Sequence, residues 1–180
     1  SFPATVAFAG YVFTWSFRTF SDSMDPSLAA LIGLFLALIA GGFVGYINGL
    51  LVAKIGVPAI MATLAAQFFW YGVTVLLAGG LQAALKTIED NTVHAVLTGR
   101  IYGIIPDPAR GRIGIPTQAL WALGLTIVLW FILNRHKFGE AVMFIGDNAN
   151  VARVMGINVE GTKIQLFTMM GVIAAFTEIG

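Results

Sequence analysis

Chemistry needs groups that ionise, coordinate or attack, and this chain holds few of them, widely scattered. There is no cysteine, hence no thiolate nucleophile, no disulfide framework and no cysteine-based zinc or iron–sulfur site. His94 and His136 lack companion ligands at metal-binding spacing, so both read as solvated and no metal is expected. The sequence shows no paired carboxylates, no nucleophile beside a base and no phosphate-binding glycine loop. Catalysis by this chain is disfavoured. Three features remain: the polar patch FIGDNANVARVMGIN, Phe144 to Asn158; the set Thr63, Gln67, Trp70, Tyr71 and Thr74 inside an apolar run; and one carboxylate, Glu178, late in the last such run.

The elements that carry these groups are set by composition. The chain is 58% hydrophobic and 11% charged, with a mean hydropathy of +0.86, well outside the balance of a soluble domain. A water-soluble chain of this size would cover its core with far more than 10 Lys+Arg and 9 Asp+Glu. Lipid is the expected cover. A net charge of +1 and the lack of long like-charge blocks give no field for nucleic acid. The chain starts at Ser1 without Met or a basic leader, and Gly180 stops inside an apolar run, so a piece of a longer polypeptide is expected.

Leu28 to Ala53 carries no charged residue, which is about 39 Å of helix and enough to cross a bilayer with tilt. Ala59 to Ala78, Thr117 to Asn134 and Ile164 onward are similarly uncharged up to Glu178, and Ser1 to Phe17 reads as a further span. The expected fold is all-α: a polytopic transmembrane helix bundle with four or five crossings. Alternation puts Lys54, Arg135, Lys137, Arg153 and Lys163 on one side and Arg18, Lys86, Arg100, Arg110 and Arg112 on the other. The first set crowds the span ends, which favours it as the cytoplasmic side. The segment Gly79 to Pro116 spaces Leu81, Leu85, Ile88, Val96 and Leu97 in a loosely helical way before a turn-rich Pro106-Asp107-Pro108, and is expected on the outer surface.

Within the spans, Ala29, Gly33, Ala37, Gly41, Gly45, Gly49 and Ala53 recur every four residues. That stripe serves close helix packing, as at Gly41, Gly45 and Gly49, or sliding of helices past one another. Asn48 sits beside it. Thr63, Gln67, Trp70, Tyr71 and Thr74 share one helical face that is expected to point inward, suited either to a neutral polyhydroxylated solute or to bonding adjacent helices. Ionised groups at mid-span, which an ion-coupled transporter needs, are lacking apart from Glu178.

The polar patch carries its own punctuation. Asp147 or Asn148 is a candidate N-cap, Ala149 to Met155 makes two turns, and Gly156 is a natural left-handed C′ residue. Val151, Val154 and Met155 fall on one side, Asn150 and Arg153 on the other. So short a helix needs packing to exist, and its apolar side is expected to rest on the bundle, leaving the polar side for a partner. An ordinary interfacial loop helix is the other reading.

The stretch GEAVMFIGDNANVARVMGINVEGTK resembles the cytoplasmic loop of permease subunits of ribose/xylose-type ABC importers. Gly139, Ile145-Gly146, Asn148, Ala152-Arg153, Gly156-Ile157-Asn158 and Lys163 carry the likeness there. Upstream it rests on Ile47-Asn48-Gly49-Leu50-Leu51-Val52, Pro58, Ile60, Thr63-Leu64, Gly72 and Gly79-Gly80. Asp147, Ala65, Tyr71 and Thr177-Glu178 depart from the pattern. The resemblance implies that residues 1–180 are part of one transmembrane permease domain, truncated at both ends, in the inner membrane. Residues 135–163 are its cytoplasmic loop with a coupling helix contacted through Gly139, Gly146, Asp147, Asn148, Ala152, Arg153, Met155 and Gly156. It also implies a monosaccharide cargo and a substrate path through Asn48, Thr63, Gln67, Tyr71 and Thr74. The implied partners are a cytoplasmic ATP-binding subunit that holds ATP and Mg, a second permease copy, an extracytoplasmic sugar-binding protein and membrane lipid. No cofactor is expected in this chain itself. Branched-chain amino acid permeases of the same superfamily share the loop pattern from Asn148 to Ile157, so an amino acid cargo stays open.

Overall fold

The structure, a computed structural model, describes residues 2–79, 96, 99–107 and 111–179. Its frame is a set of long helices: α1 (Phe2–Ser21), α2 (Pro26–Leu50), α3 (Ala59–Leu77), α4 (Thr117–Arg135), α5 (Lys137–Val154) and α6 (Val159–Ile179). A π-helical turn, Leu51–Ile55, prolongs α2. A two-stranded antiparallel hairpin, β1 (Arg100–Asp107) and β2 (Gly111–Pro116), precedes α4. Among the described residues, the helices long and apolar enough to cross a membrane are Pro26–Ile55, Ala59–Leu77 and Thr117–Arg135. Helices α1 and α6, at 20 and 21 residues, pack along the first of these.

Local chemistry sets the ends of the helices. Asp25 caps α2, its Oδ1 accepting from the Ser27 N–H at 2.8 Å, with Pro26 at the first helical position, where a missing N–H costs nothing. At the far end Gly56 closes the π turn in a left-handed conformation, φ 79°, and Pro58 prevents the helix from continuing before α3. Two buried hydroxyls of α1 are satisfied on its own backbone: Thr14 donates to the Gly10 carbonyl at 2.9 Å and Ser16 to that of Val12 at 2.7 Å. That is how a span carries polar side chains without partners on another helix.

The directions of the helices follow from their contacts. A Cβ on Gly33 would meet the Phe13 ring, while Ala4 and Val44 share the second core cluster, so α1 and α2 are antiparallel. Phe8 meets Trp70 with ring centroids 4.7 Å apart, and Tyr11 donates to the Leu77 carbonyl at 3.1 Å, so α3 runs parallel to α1. A Cβ on Gly49 would lie 2.8 Å from the Ile164 Cα, one on Gly45 would strike the Phe167 carbonyl oxygen, and one on Gly41 would lie 2.5 Å from that of Gly171. Helix α6 is therefore antiparallel to α2, and the two approach backbone to backbone. Trp121 faces Phe176 at 5.5 Å, and Ile132 shares a cavity wall with Ile164, which aligns α4 against α6. Helices α1, α2, α3, α4 and α6 thus alternate in direction, the arrangement assumed in sorting the charges. The ends carrying Lys54, Arg135, Lys137, Arg153 and Lys163 lie together.

The core lies where small residues let helices meet. Ala9, Phe13, Phe17, Ala29, Ala30, Ala37 and Ala175 form one buried cluster, and Ala4, Val44, Ala66 and Trp70 a second. Small residues admit close approach in lipid, where apolar surface alone gives no preference for protein over bilayer. The bundle is helical as expected. The strands are the addition: beyond the loosely helical Leu81 to Leu97 spacing the sequence offers only turn signals, yet residues 100–107 and 111–116 form strands. Pro106 and Asp107 end β1, where the register pairs Asp107 with Gly111. His94, Lys86 and most of the Leu81 to Leu97 spacing lie outside the described residues.

Candidate functional site

The polar patch builds a corner at the end of the bundle where α4, α5 and α6 meet. His136 caps α5, its Nδ1 accepting from the Phe138 N–H at 3.1 Å. Gly139, buried in the next turn, lets α5 fold back on α4, because a Cβ there would strike the Leu133 backbone. The helix then breaks at Asn148, whose backbone is extended at φ −158° and ψ 106°. Asn148 Oδ1 accepts from the N–H groups of Asn150 at 3.0 Å and Val151 at 3.2 Å, satisfying two of the donors a helix start leaves open. Asn148, rather than Asp147, is the cap. The short helix expected from Ala149 is present.

Its exit is equally well defined. Gly156 is left-handed at φ 83°; its N–H donates to the Arg153 carbonyl at 3.1 Å, and the Ile157 N–H donates to that of Ala152 at 3.0 Å. Those two bonds are the Schellman arrangement. The next residue opens α6: Asn158 Oδ1 accepts from the Gly161 N–H at 2.9 Å. Gly156-Ile157-Asn158 is thus a helix stop joined directly to a helix start. Across it Arg153 Nη2 reaches Glu160 Oε1 at 2.5 Å. The hydrogen bond from Arg153 is the main cause holding the Glu160 carboxyl below the ordinary glutamate range, aided by its backbone N–H and by Lys163.

One expectation about this helix is reversed. Val151 is 52% exposed, Val154 89% and Met155 59%, whereas Ala152 is fully buried. The apolar side faces out. Burial falls to the small Ala152, and Arg153 on the polar side is engaged by Glu160 within the chain. Gly146 stands in open space, and Asp147 is exposed.

The residues expected along a substrate path lie on two helices, Asn48 on α2 and Thr63, Gln67, Tyr71 and Thr74 on α3. Asn48 is buried in α2 beside the glycine seam. Thr63 and Thr74 donate to the Ile60 and Trp70 carbonyls of their own helix at 3.1 and 2.8 Å. Gln67 is half-buried and Tyr71 is 61% exposed. The face that α3 turns toward α1 and α2 is Ala62, Ala66 and Trp70. Trp70 of the polar set is thus turned inward, and the Thr63 and Thr74 hydroxyls are satisfied locally, while methyl groups and that one indole do the packing. A cavity of about 520 Å³ opens instead at the corner end, lined by Tyr46, Ile132, His136, Phe138, Ile164, Gln165, Thr168 and Met169. Among the described residues no group of three or more His, Cys, Asp or Glu is placed to hold a metal ion.

Sequence reasoning missed the pairing of Arg153 with Glu160 and the capping roles of His136 and Asn158. The Asn158-Val-Glu-Gly161 spacing was the available signal for the last.

A family model described as branched-chain amino acid transport system / permease component matches residues 1–177. The D-allose transport system permease protein AlsC of Escherichia coli K12 is 29% identical over 156 residues, covering 87% of this chain and 43% of the relative. The fructose import permease protein FrcC of Rhizobium meliloti is 31% identical, covering 87% and 41%. The ribose import permease protein RbsC of Escherichia coli K12 is 31% identical, covering 83% and 44%. The chain spans less than half the length of these relatives. No solved structure matches it.

Proposed function

The chain belongs to the family of branched-chain amino acid transport system permease components, and on that premise we propose that it is part of the membrane-spanning subunit of an ATP-driven importer. In this reading residues 1–180 are a portion of one multipass permease domain in the inner membrane, with the corner end in the cytoplasm. ATP and Mg are held by a separate cytoplasmic subunit, a second permease copy completes the pore, and an extracytoplasmic binding protein delivers the cargo. The cargo is a monosaccharide, supported by relatives named for allose, fructose and ribose.

One observation carries the reading: a capped helix of two turns projects Val151, Val154 and Met155 out of the bundle at the end rich in Lys and Arg. Apolar side chains exposed beyond the span ends have no lipid to cover them, so a protein groove is their natural cover. A partner that closes on ATP then pushes a stiff peg, and the packed helices behind it convert the push into a change of access.

Val154→Asp, placed in the full-length permease co-expressed with its ATP-hydrolysing subunit, tests this. Membrane insertion is expected to persist, while co-purification of the ATPase and uptake of labelled ribose, allose or fructose collapse. Wild-type uptake and co-purification would overturn the proposal. The family description supplies the second reading, a branched-chain amino acid cargo; accumulation of labelled leucine, without any of the sugars, would establish that one instead.

A further inference from the structure

We infer that the Arg153–Glu160 ion pair is a strut that fixes the angle between the short helix and α6, making both residues positioning residues for the transmission proposed above, on whose reading this rests. The Schellman bonds and the Asn158 cap fix the two ends, but neither crosses the Ile157-Asn158 joint to tie one helix to the other. Arg153 lies in the last turn of the short helix and Glu160 in the first turn of α6, seven residues apart and 2.5 Å between charged atoms. Their contact closes a ring around that joint. On the two sides of the joint Ala152, Val159 and Thr162 are buried, whereas the ion pair lies on the exposed side, where it braces the corner against opening.

The charges are placed with the backbone. A cation at a helix C-terminus and an anion at a helix N-terminus each complement the local partial charge, so the pair suits its two helices as well as itself. An exposed ion pair is ordinarily weak because ordering two long side chains offsets the attraction. Here the caps have already ordered the backbone on either side, which leaves only the side chains to be fixed. Occupying Arg153 within the chain also leaves the outward Val151, Val154 and Met155 surface as the docking face. A push on that face then passes into α6, and from α6 into α2 through the glycine contacts, without being lost in bending.

The test is a charge swap in the full-length permease: Arg153→Glu, Glu160→Arg, and both together. Spin labels at Asn150→Cys and Met170→Cys, on the short helix and mid-α6, report the angle in lipid nanodiscs; residues 1–180 contain no native cysteine to compete. Each single reversal is expected to broaden the distance distribution and to lower sugar transported per ATP hydrolysed several-fold, and the double reversal to restore both. Singles that lower the ratio without altering the distance, with no recovery in the double, would overturn the strut and make Arg153 a direct contact of the ATPase. Singles that change neither measurement would also overturn it. Failure of the transport reading is separately visible: Val154→Asp would then be silent while the distance still responds to the swap.

Discussion

Helices α4 and α6 are similar in length and both are built largely of apolar residues, yet they sit in the bundle in opposite ways. Helix α6 meets α2 through Gly41, Gly45, Gly49 and Gly171, so that each backbone touches the other. Helix α4 buries none of its residues and touches the rest through Trp121, through the residues around Leu133 and through its ends. Apolarity alone qualifies a segment for the bilayer; the spacing of small residues decides which neighbour it binds. Glycine therefore means different things in the two places. Gly45 is needed for contact, while at Gly124, in the middle of α4, a Cβ would meet nothing.

That contrast can be broken most severely at the seam. Gly45→Leu puts a side chain where the Phe167 carbonyl stands, and overpacking of this kind costs about 1–3 kcal/mol or more. Loss of folded protein in a detergent thermal-stability assay is the expected result, and an unchanged midpoint would mean that α2 and α6 are not in contact. A smaller effect belongs to the corner. Asn148→Ala removes the acceptor for two N–H groups and is expected to cost roughly 1 kcal/mol, read as faster amide exchange at residues 149–152 with the seam unaffected. The smallest belongs to α4: Gly124→Ala should leave stability unchanged or raise it by up to about 1 kcal/mol, as removing a glycine from a helix interior does. A clear loss there would show that α4 is as tightly packed as α6.

What the sequence made legible was local or periodic. The short helix could be read from Asn148 and Gly156 because caps act within five residues, and the seam could be read because glycine every fourth residue is a pattern in one helix. The bonding of the α3 hydroxyls could not. Whether Thr63 and Thr74 bond a cargo, a neighbour or their own backbone depends on hydroxyl geometry that periodicity does not contain, and the structure gives their own backbone. The Arg153–Glu160 contact was hidden for another reason. The two residues fall in different helices, and they meet only after Gly156 and Asn158 have set the turn between them. The strands at residues 100–107 and 111–116 lay in a stretch whose legible signals were its turn residues, with apolar residues too irregular to show a period.

The connectors of the bundle carry a consequence of their own. Only Gly56, Val57 and Pro58 join the end of α2 to α3, and three residues stretched out span about 10 Å. Residues 78–116 intervene between α3 and α4. The short link at Gly56 to Pro58 holds the Lys54 end of α2 and the start of α3 within one strand-length of each other, while at its far end α3 is held to α1 by the Tyr11 hydroxyl on the Leu77 carbonyl.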